Sequence, residues 1–267
     1  MTGFEHATLG VLVLMVLLIA PVVLYIRRAR SGAQMFVRRI PGVDAVEEAV
    51  GRSAEMGRPI AFSTGLTGIG PVLYACLGVL FHVARRAARY KSRLLVPQCA
   101  PDVMAVVEDT VQDAYRCEGR LDVFDPSSIR YLSDEQFAFA AGYVGLIQRE
   151  KIASAFLFGS FAAESLILSE AGQQAGAMQV AATTSPEQVA FFICTCDYTL
   201  IGEELFGASA YLTREPVQLG SLYGQDRAKM IFAVLIVAGV LIATLNSVPW
   251  LGLSLPNVDY LLSFSLW

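Results

Sequence analysis

The chain is short of charge, of histidine and of the residues that enzyme chemistry needs. Only 16% of its 267 residues are Asp, Glu, Lys or Arg, where a soluble domain carries about a quarter. That deficit excludes an ordinary soluble chain and points to membrane segments. Histidine occurs twice, at His6 and His82. There is no G-x-S-x-G and no Cys–His pairing, so nucleophilic catalysis has no support. The carboxylates fall in helix first turns and on solvated faces rather than in pairs, and an enzyme is the less favoured class. Net charge is −4, which argues against nucleic acid as a partner.

Metal-ligand spacing is also missing. The five cysteines, Cys76, Cys99, Cys117, Cys194 and Cys196, are odd in number and contain no C-x-x-C. Cys194 and Cys196, two apart on a helix, would point about 200° apart. The expectation is therefore no metal, no cofactor, and thiols that behave as buried small hydrophobes.

What the chain does have is two long apolar runs. Residues 7–26, "ATLGVLVLMVLLIAPVVLYI", carry no charge, enough at about 1.5 Å per residue to cross a hydrocarbon layer of roughly 30 Å. Residues 230–250, "MIFAVLIVAGVLIATLNSVPW", form the second run, with Trp250 placed as an interfacial anchor. The leading flank "MTGFEH" has no Lys or Arg, so the first run does not read as a cleavable signal. Pro21 within it is a kink that neighbouring helices tolerate.

All 20 basic residues lie between positions 27 and 229. By the positive-inside rule that stretch belongs in the cytoplasm and both termini outside. The expected location is a bacterial inner membrane crossed twice. Arg27, Arg28, Arg30, Arg38 and Arg39 fall where anionic headgroups would be, and read as a membrane-surface signal. The tail after Trp250 ends with Tyr260, Leu261, Leu262, Phe264, Leu266 and Trp267. It suits the interface or a partner surface better than open water.

The segments order as follows: 1–26 a first membrane helix, 27–58 a basic juxtamembrane stretch and amphipathic helix, 59–225 a cytoplasmic α/β domain, 226–250 a second membrane helix, and 251–267 an apolar tail outside. Within 59–225, "RPIAFS", "SRLLVPQ", "ASAFLFGS" and "AMQVAATT" read as apolar strands, and "RLDVFDPSSIRYL" holds one or two more. They alternate with helices, which implies a three-layer α/β fold on a mainly parallel sheet of about five strands. In the helix over 101–117, Val103, Val106, Val107 and Val111 are expected on one side. Ser133/Gln136 and Ser185/Gln188 read as capping boxes, the second opening one helix from 185 to 206. Residues 64–84 are also uncharged, but as a third span they would put an Arg-rich flank outside; a core helix is the preferred reading.

The stretch "STGLTGIG", Ser63–Gly70, is the one place with the composition of a phosphate cradle. As a Walker loop it fails, because Pro71 and Val72 stand where Lys and Ser/Thr are needed. As a dinucleotide fingerprint it lacks the third glycine, Leu73 standing there. An anion held by Ser63, Thr64, Gly65, Thr67, Gly68 and Gly70 at a helix start stays open, with Ser160 and Glu164 in a neighbouring loop as further candidates. The weightier reading is a tight turn with Pro71 at the first helical position. For Glu164 the preferred place is a solvated first turn, where the helix dipole favours an acid.

"RRIPGVDAVEEAVGRSAEMGRPIAFSTGLTGIGP" and "SEAGQQAGAMQVAATTSPEQVAFFICTCDYTLIGEELFGASAYL", with the closing apolar helix, resemble an uncharacterised bacterial membrane family, a domain of unknown function. The resemblance covers roughly residues 35–245. It implies the two-helix topology and carries over no functional residues. Three functions remain: an assembly subunit of a membrane complex, with the bilayer and further copies or other subunits as partners; a membrane-tethered nucleotide- or anion-sensing domain; a transporter or channel component with three or four spans.

Overall fold

Short apolar segments alternating with amphipathic ones build most of the chain, as seen in a computed structural model that describes residues 9–32 and 41–246. Arg38, Arg39, Trp250 and the tail residues Tyr260, Leu261, Leu262, Phe264 and Trp267 lie outside the described residues. The chain divides into two units, Val37–Arg214 and the paired terminal segments Met1–Phe36 with Glu215–Trp267.

The larger unit opens with α2 (Pro41–Met56), after α1 (Leu9–Arg30) of the other unit. It continues β1 (Ile60–Gly65), α3 (Pro71–Tyr90), β2 (Leu94–Gln98), α4 (Pro101–Cys117), β3 (Ile129–Tyr131), α5 (Gln136–Glu150), β4 (Ser154–Ser160), α6 (Ser165–Gln174), β5 (Met178–Thr183), α7 (Pro186–Thr195), β6 (Tyr198–Ile201) and α8 (Glu204–Thr213). All strand pairs are parallel, and the sheet order is β3-β2-β1-β4-β5-β6. β1, β2 and β5 are buried at every residue, as strands covered on both faces must be. Alternation then sorts their side chains. Ile60, Phe62, Phe156, Phe158 and Val180 join the core under α2, α3, α4 and α8. Ala61, Leu95, Ala155, Leu157 and Ala181 join the core under α5, α6 and α7. Phe62 stacks on Phe156 and Phe158, with centroids 6.0 and 5.6 Å away.

The uncharged stretch 64–84 falls in β1, a loop and α3, and α3 is a core helix. Leu73, Cys76, Val79, Leu80, Val83 and Ala84 are all buried. Its outer face ends in arginines that pair with acids of other elements: Arg85 and Arg89 with Glu118, and Arg86 with Glu47.

The parallel sheet has six strands, in keeping with the expected α/β fold on a sheet of about five. Two expectations need correction. The segment 185–206 is not one helix. Helix α7 stops at Thr195, and the Asp197 carboxylate accepts the Gln179 N–H at the head of β5 (2.7 Å). The β-prone run Tyr198–Ile201 then pairs with β5, and Gly202 at φ 58° turns the chain into α8. The segment 120–132 holds one strand, Ile129–Tyr131, where one or two were expected; two 3₁₀ turns precede it, the second capped by Asp125, whose carboxylate accepts the Ser127 N–H. Val106 is 38% exposed, since the buried stripe of α4 follows the four-residue spacing Val103, Val107, Val111 and leaves Val106 at its edge.

The smaller unit pairs α1 with α9 (Pro216–Asn246). Both are long and apolar enough to cross a membrane, and their apolar windows are unburied. They run antiparallel and touch backbone to backbone through two glycines. A Cβ on Gly220 would lie 2.5 Å from Ile26 Cα, and one on Gly224 only 2.3 Å from Val22 Cα. This small-x-x-x-small spacing lets helices approach where no water drives them together. Tyr25 and Tyr223 stack beside the contact, centroids 6.1 Å apart. Pro21 lies inside α1 without ending it.

Candidate functional site

In the strand order β3-β2-β1-β4-β5-β6, the connections of β1 and β4 leave to opposite sides. The carboxyl ends of two such strands bracket the crevice where doubly wound sheets take ligands. Here the loop after β1 brings Ser63–Gly70, and the loop after β4 brings Ser160–Glu164. The structure thus gathers Ser63, Thr64, Gly65, Thr67 and Ser160 into one knot, with Glu164 beside it.

The knot is closed on itself. The Leu66 N–H donates to the Ser160 carbonyl (2.9 Å), and the Ser160 N–H donates to Thr67 Oγ1 (2.7 Å). Thr67 in turn donates its hydroxyl to the Thr64 carbonyl at 2.5 Å. Ser63 Oγ accepts the Gly65 N–H, and the Thr64 hydroxyl donates to Gln98 Oε1. The Cys99 thiol donates to the Gly65 carbonyl. Ser63, Thr64 and Thr67 are all buried, and the cradle hydroxyls are therefore engaged within the protein. Two glycines permit this closeness. Gly65 has φ 60°, and its Cβ would strike the Phe161 ring at 2.5 Å. Gly159, at φ 152°, would put a Cβ 2.2 Å from the Thr64 carbonyl oxygen. Gly68 and Gly70 stand differently: nothing lies within 4 Å of a Cβ built on either.

Glu164 departs from the expected solvated turn. Helix α6 begins only at Ser165, which puts Glu164 at the cap position, fully buried. Its Oε1 accepts the Ala162 N–H (3.0 Å), and its Oε2 accepts the Gln136 side-chain amide (2.6 Å). Both expected capping boxes are absent for a related reason. Gln136 is spent on Glu164, while Ser133 Oγ takes the Glu135 N–H. Gln188 Oε1 instead accepts the Ser165 hydroxyl. The two glutamines thus reach from α5 and α7 to pin the loop after β4.

Sequence reasoning missed Gln98, Cys99, Gln136 and Gln188 here. A usable signal existed for Gln98 alone, a polar residue closing the apolar run "LLVPQ". Its Nε2 is buried and finds no hydrogen-bond partner among the described residues. The Cys99 thiol is pushed up by burial first, and then by the charges of Glu164, Asp102 and Asp134. It is held as a neutral donor rather than a nucleophile. Of the remaining thiols, Cys76 is buried but Cys117 and Cys194 are exposed, so the small-hydrophobe reading fails for those two. Burial pushes Cys196 up to about 12.

A second polar node joins α2 to α3, where Glu47 Oε1 meets His82 Nε2 at 2.8 Å and Arg86 Nη2 at 2.7 Å. Burial lowers the His82 pKa, and Glu47 only partly offsets it. For Glu47 burial acts upward, but Arg86 and His82 together hold it below its ordinary value. Arg27, Arg28 and Arg30 lie exposed in the last turn of α1, where the helix dipole favours cations.

The class so defined is a doubly wound α/β unit in one chain with an antiparallel pair of helices of membrane-crossing length. The chain belongs to the family described as "Domain of unknown function (DUF6754)", whose model matches residues 1–252. No curated protein and no solved structure matches it.

Proposed function

We propose that the chain is a membrane-anchored structural subunit that assembles, with further copies of itself, into a larger complex of a bacterial inner membrane. One contrast supports this reading. The loops at the switch point are bonded to each other, whereas α1 and α9 turn apolar side chains such as Leu12, Leu24, Val234 and Val237 outward. The confinement of basic residues to 27–229 favours a cytoplasmic α/β unit with both termini outside. The test is the mass of the full chain in mild detergent and in lipid nanodiscs, with whatever co-purifies. The reading expects a multimer, and a lone monomer contradicts it.

A second reading, a membrane-tethered sensor of nucleotides or anions, draws on the strand order and on the buried Gln98 Nε2, which finds no partner among the described residues. It expects a thermal shift with ATP, NAD or phosphate that Gly68→Val abolishes, because that side chain projects into open space and spares the fold. No shift with any of them contradicts it. The transporter reading loses its third segment, since α3 lies in the core of the α/β unit.

A further inference from the structure

Register aligns the amino ends of four adjacent strands. Leu94, Ile60, Ser154 and Met178 are the first residues of β2, β1, β4 and β5, and they pair side by side in that order. What the chain brings to these ends is cationic. Lys91 stands three residues before β2, Arg58 two before β1 and Lys151 three before β4. Arg52 reaches the next place along, where its guanidinium donates to the Gly176 carbonyl (3.5 Å) ahead of β5. At about 4.8 Å per strand these places form a row roughly 15 Å long.

The row is not neutralised from within. Arg52, Lys91 and Lys151 are exposed and Arg58 is half-buried, and none of the four has an ion pair among the described residues. The acids nearby are already matched: Glu118 to Arg85 and Arg89, Glu150 to Arg93 and Arg130, Asp113 to Arg116, and Asp122 to Arg120. Among the described residues Glu55 is the one exposed acid of this edge left over. Lys91 and Lys151 stand at φ 58° and 50°, the left-handed turn after a helix that glycine adopts most readily. The opposite edge has the reverse sign. Its loops and the helix turns that follow them hold Asp102, Asp134, Glu135, Glu187, Glu203 and Glu204, and no Lys or Arg. The dipole of each helix favours this sorting, and the sum is a unit positive along its amino edge and negative along its carboxyl edge. Met56 and Tyr90, 43% and 47% exposed, flank the positive row, and a tyrosine suits headgroup level.

A chain whose two apolar helices cross a bilayer keeps its α/β unit close to lipid headgroups. We propose that the amino edge of the sheet docks on that surface, with Arg52, Arg58, Lys91 and Lys151 on the phosphates of anionic lipids and the acidic carboxyl edge turned away. The negative potential of such a surface attracts the first edge and repels the second. The contact is made at the level of the phosphates, outside the hydrocarbon, so the unit stays in water. It rests on the membrane anchoring proposed above and not on the assembly of copies.

The test uses the full chain in nanodiscs of phosphatidylcholine, with and without phosphatidylglycerol, each carrying a lipid spin-labelled at its headgroup. Cys117→Ser and Cys194→Ser remove the exposed native thiols, and a fluorophore is placed at Met56→Cys on the amino edge or at Ile69→Cys on the carboxyl edge. Quenching at position 56 should appear with phosphatidylglycerol, exceed that at position 69, and fade as salt is raised. Arg58→Gln, Lys91→Gln and Lys151→Gln should each lower the ratio of docked to free unit roughly fivefold, and together should bring position 56 to the level of position 69. Circular dichroism checks that each variant is folded. Quenching that is equal at the two positions, indifferent to phosphatidylglycerol or unmoved by the triple change overturns the docking. So does a triple change that lowers the number of subunits per disc and leaves quenching as it was, since it gives the row to the acidic edge of another copy. A chain that elutes apart from the discs overturns the anchoring, and the docking with it.

Discussion

Helices α3 and α9 are a matched pair with opposite fates. Each carries a long uncharged stretch, but of the two only α9 is long and apolar enough to cross a membrane. In α3 the apolar residues face a sheet, and the arginines that follow, Arg85, Arg86 and Arg89, are tied to Glu118 and Glu47 on neighbouring elements. In α9 the apolar window is unburied, and its close packing is two glycines against the backbone of α1. The same side chains therefore do different work in the two units. In one they exclude water from a core; in the other the chain leaves them uncovered, and backbone proximity holds the helices together.

The comparison breaks most visibly at large buried side chains. Phe158→Ala, in the core under α3, should cost the α/β unit about 3–5 kcal/mol, read as a shift in the denaturant midpoint. Val237→Ala on α9 should leave that midpoint in place. Gly224→Leu should separate α1 from α9, seen as a longer distance between spin labels on the two helices, again without moving the midpoint. A fall in the midpoint comparable to that of Phe158→Ala would erase the distinction between the units.

A smaller effect belongs to the switch point. Glu164→Ala strips the acceptors of the Ala162 N–H and the Gln136 amide, and should cost roughly 2 kcal/mol. An unchanged midpoint would mean that the buried carboxylate does not hold the loop after β4.

The pH response is smaller and has a defined sign. His82 binds its proton less tightly in the folded chain than at its ordinary 6.5. The unfolded chain therefore takes up more protons below that pH, and stability present above 6.5 declines as pH falls through it. Glu47, also lowered from its ordinary 4.5, adds a second loss further into acid. Chemical denaturation between pH 8 and pH 4 should show this decline, and His82→Asn should flatten its upper part (roughly the region around the free imidazole value). A midpoint that rises on acidification through this region contradicts the assignment. Least disruptive of all is thiol labelling of the native chain. Cys117 and Cys194 should react first, and Cys76, buried and raised in pKa, last. Equal rates would mean that the α/β unit opens as a whole.

The α/β class, the parallel sheet and the two apolar helices were legible because period and length are local properties. β6 was not, because its four residues sit inside a longer apolar run and become a strand only by pairing with β5. The glutamine caps misled for the same reason: Gln136 and Gln188 have the spacing for their own helix starts but find better partners in Glu164 and Ser165. The glycine loop was readable as a turn, yet its closure by Ser160 joins residues 93 positions apart, which no local pattern announces.

The claim on which the rest depends is that α1 and α9 lie in lipid while the sheet unit lies in water. Spin labels at Val13 and Val237, and at Lys91 and Arg120, can be compared in proteoliposomes for collision with oxygen and with a water-soluble nickel chelate. The account expects oxygen to dominate at the first two positions and nickel at the others. Nickel dominating at Val13 and Val237 would contradict it.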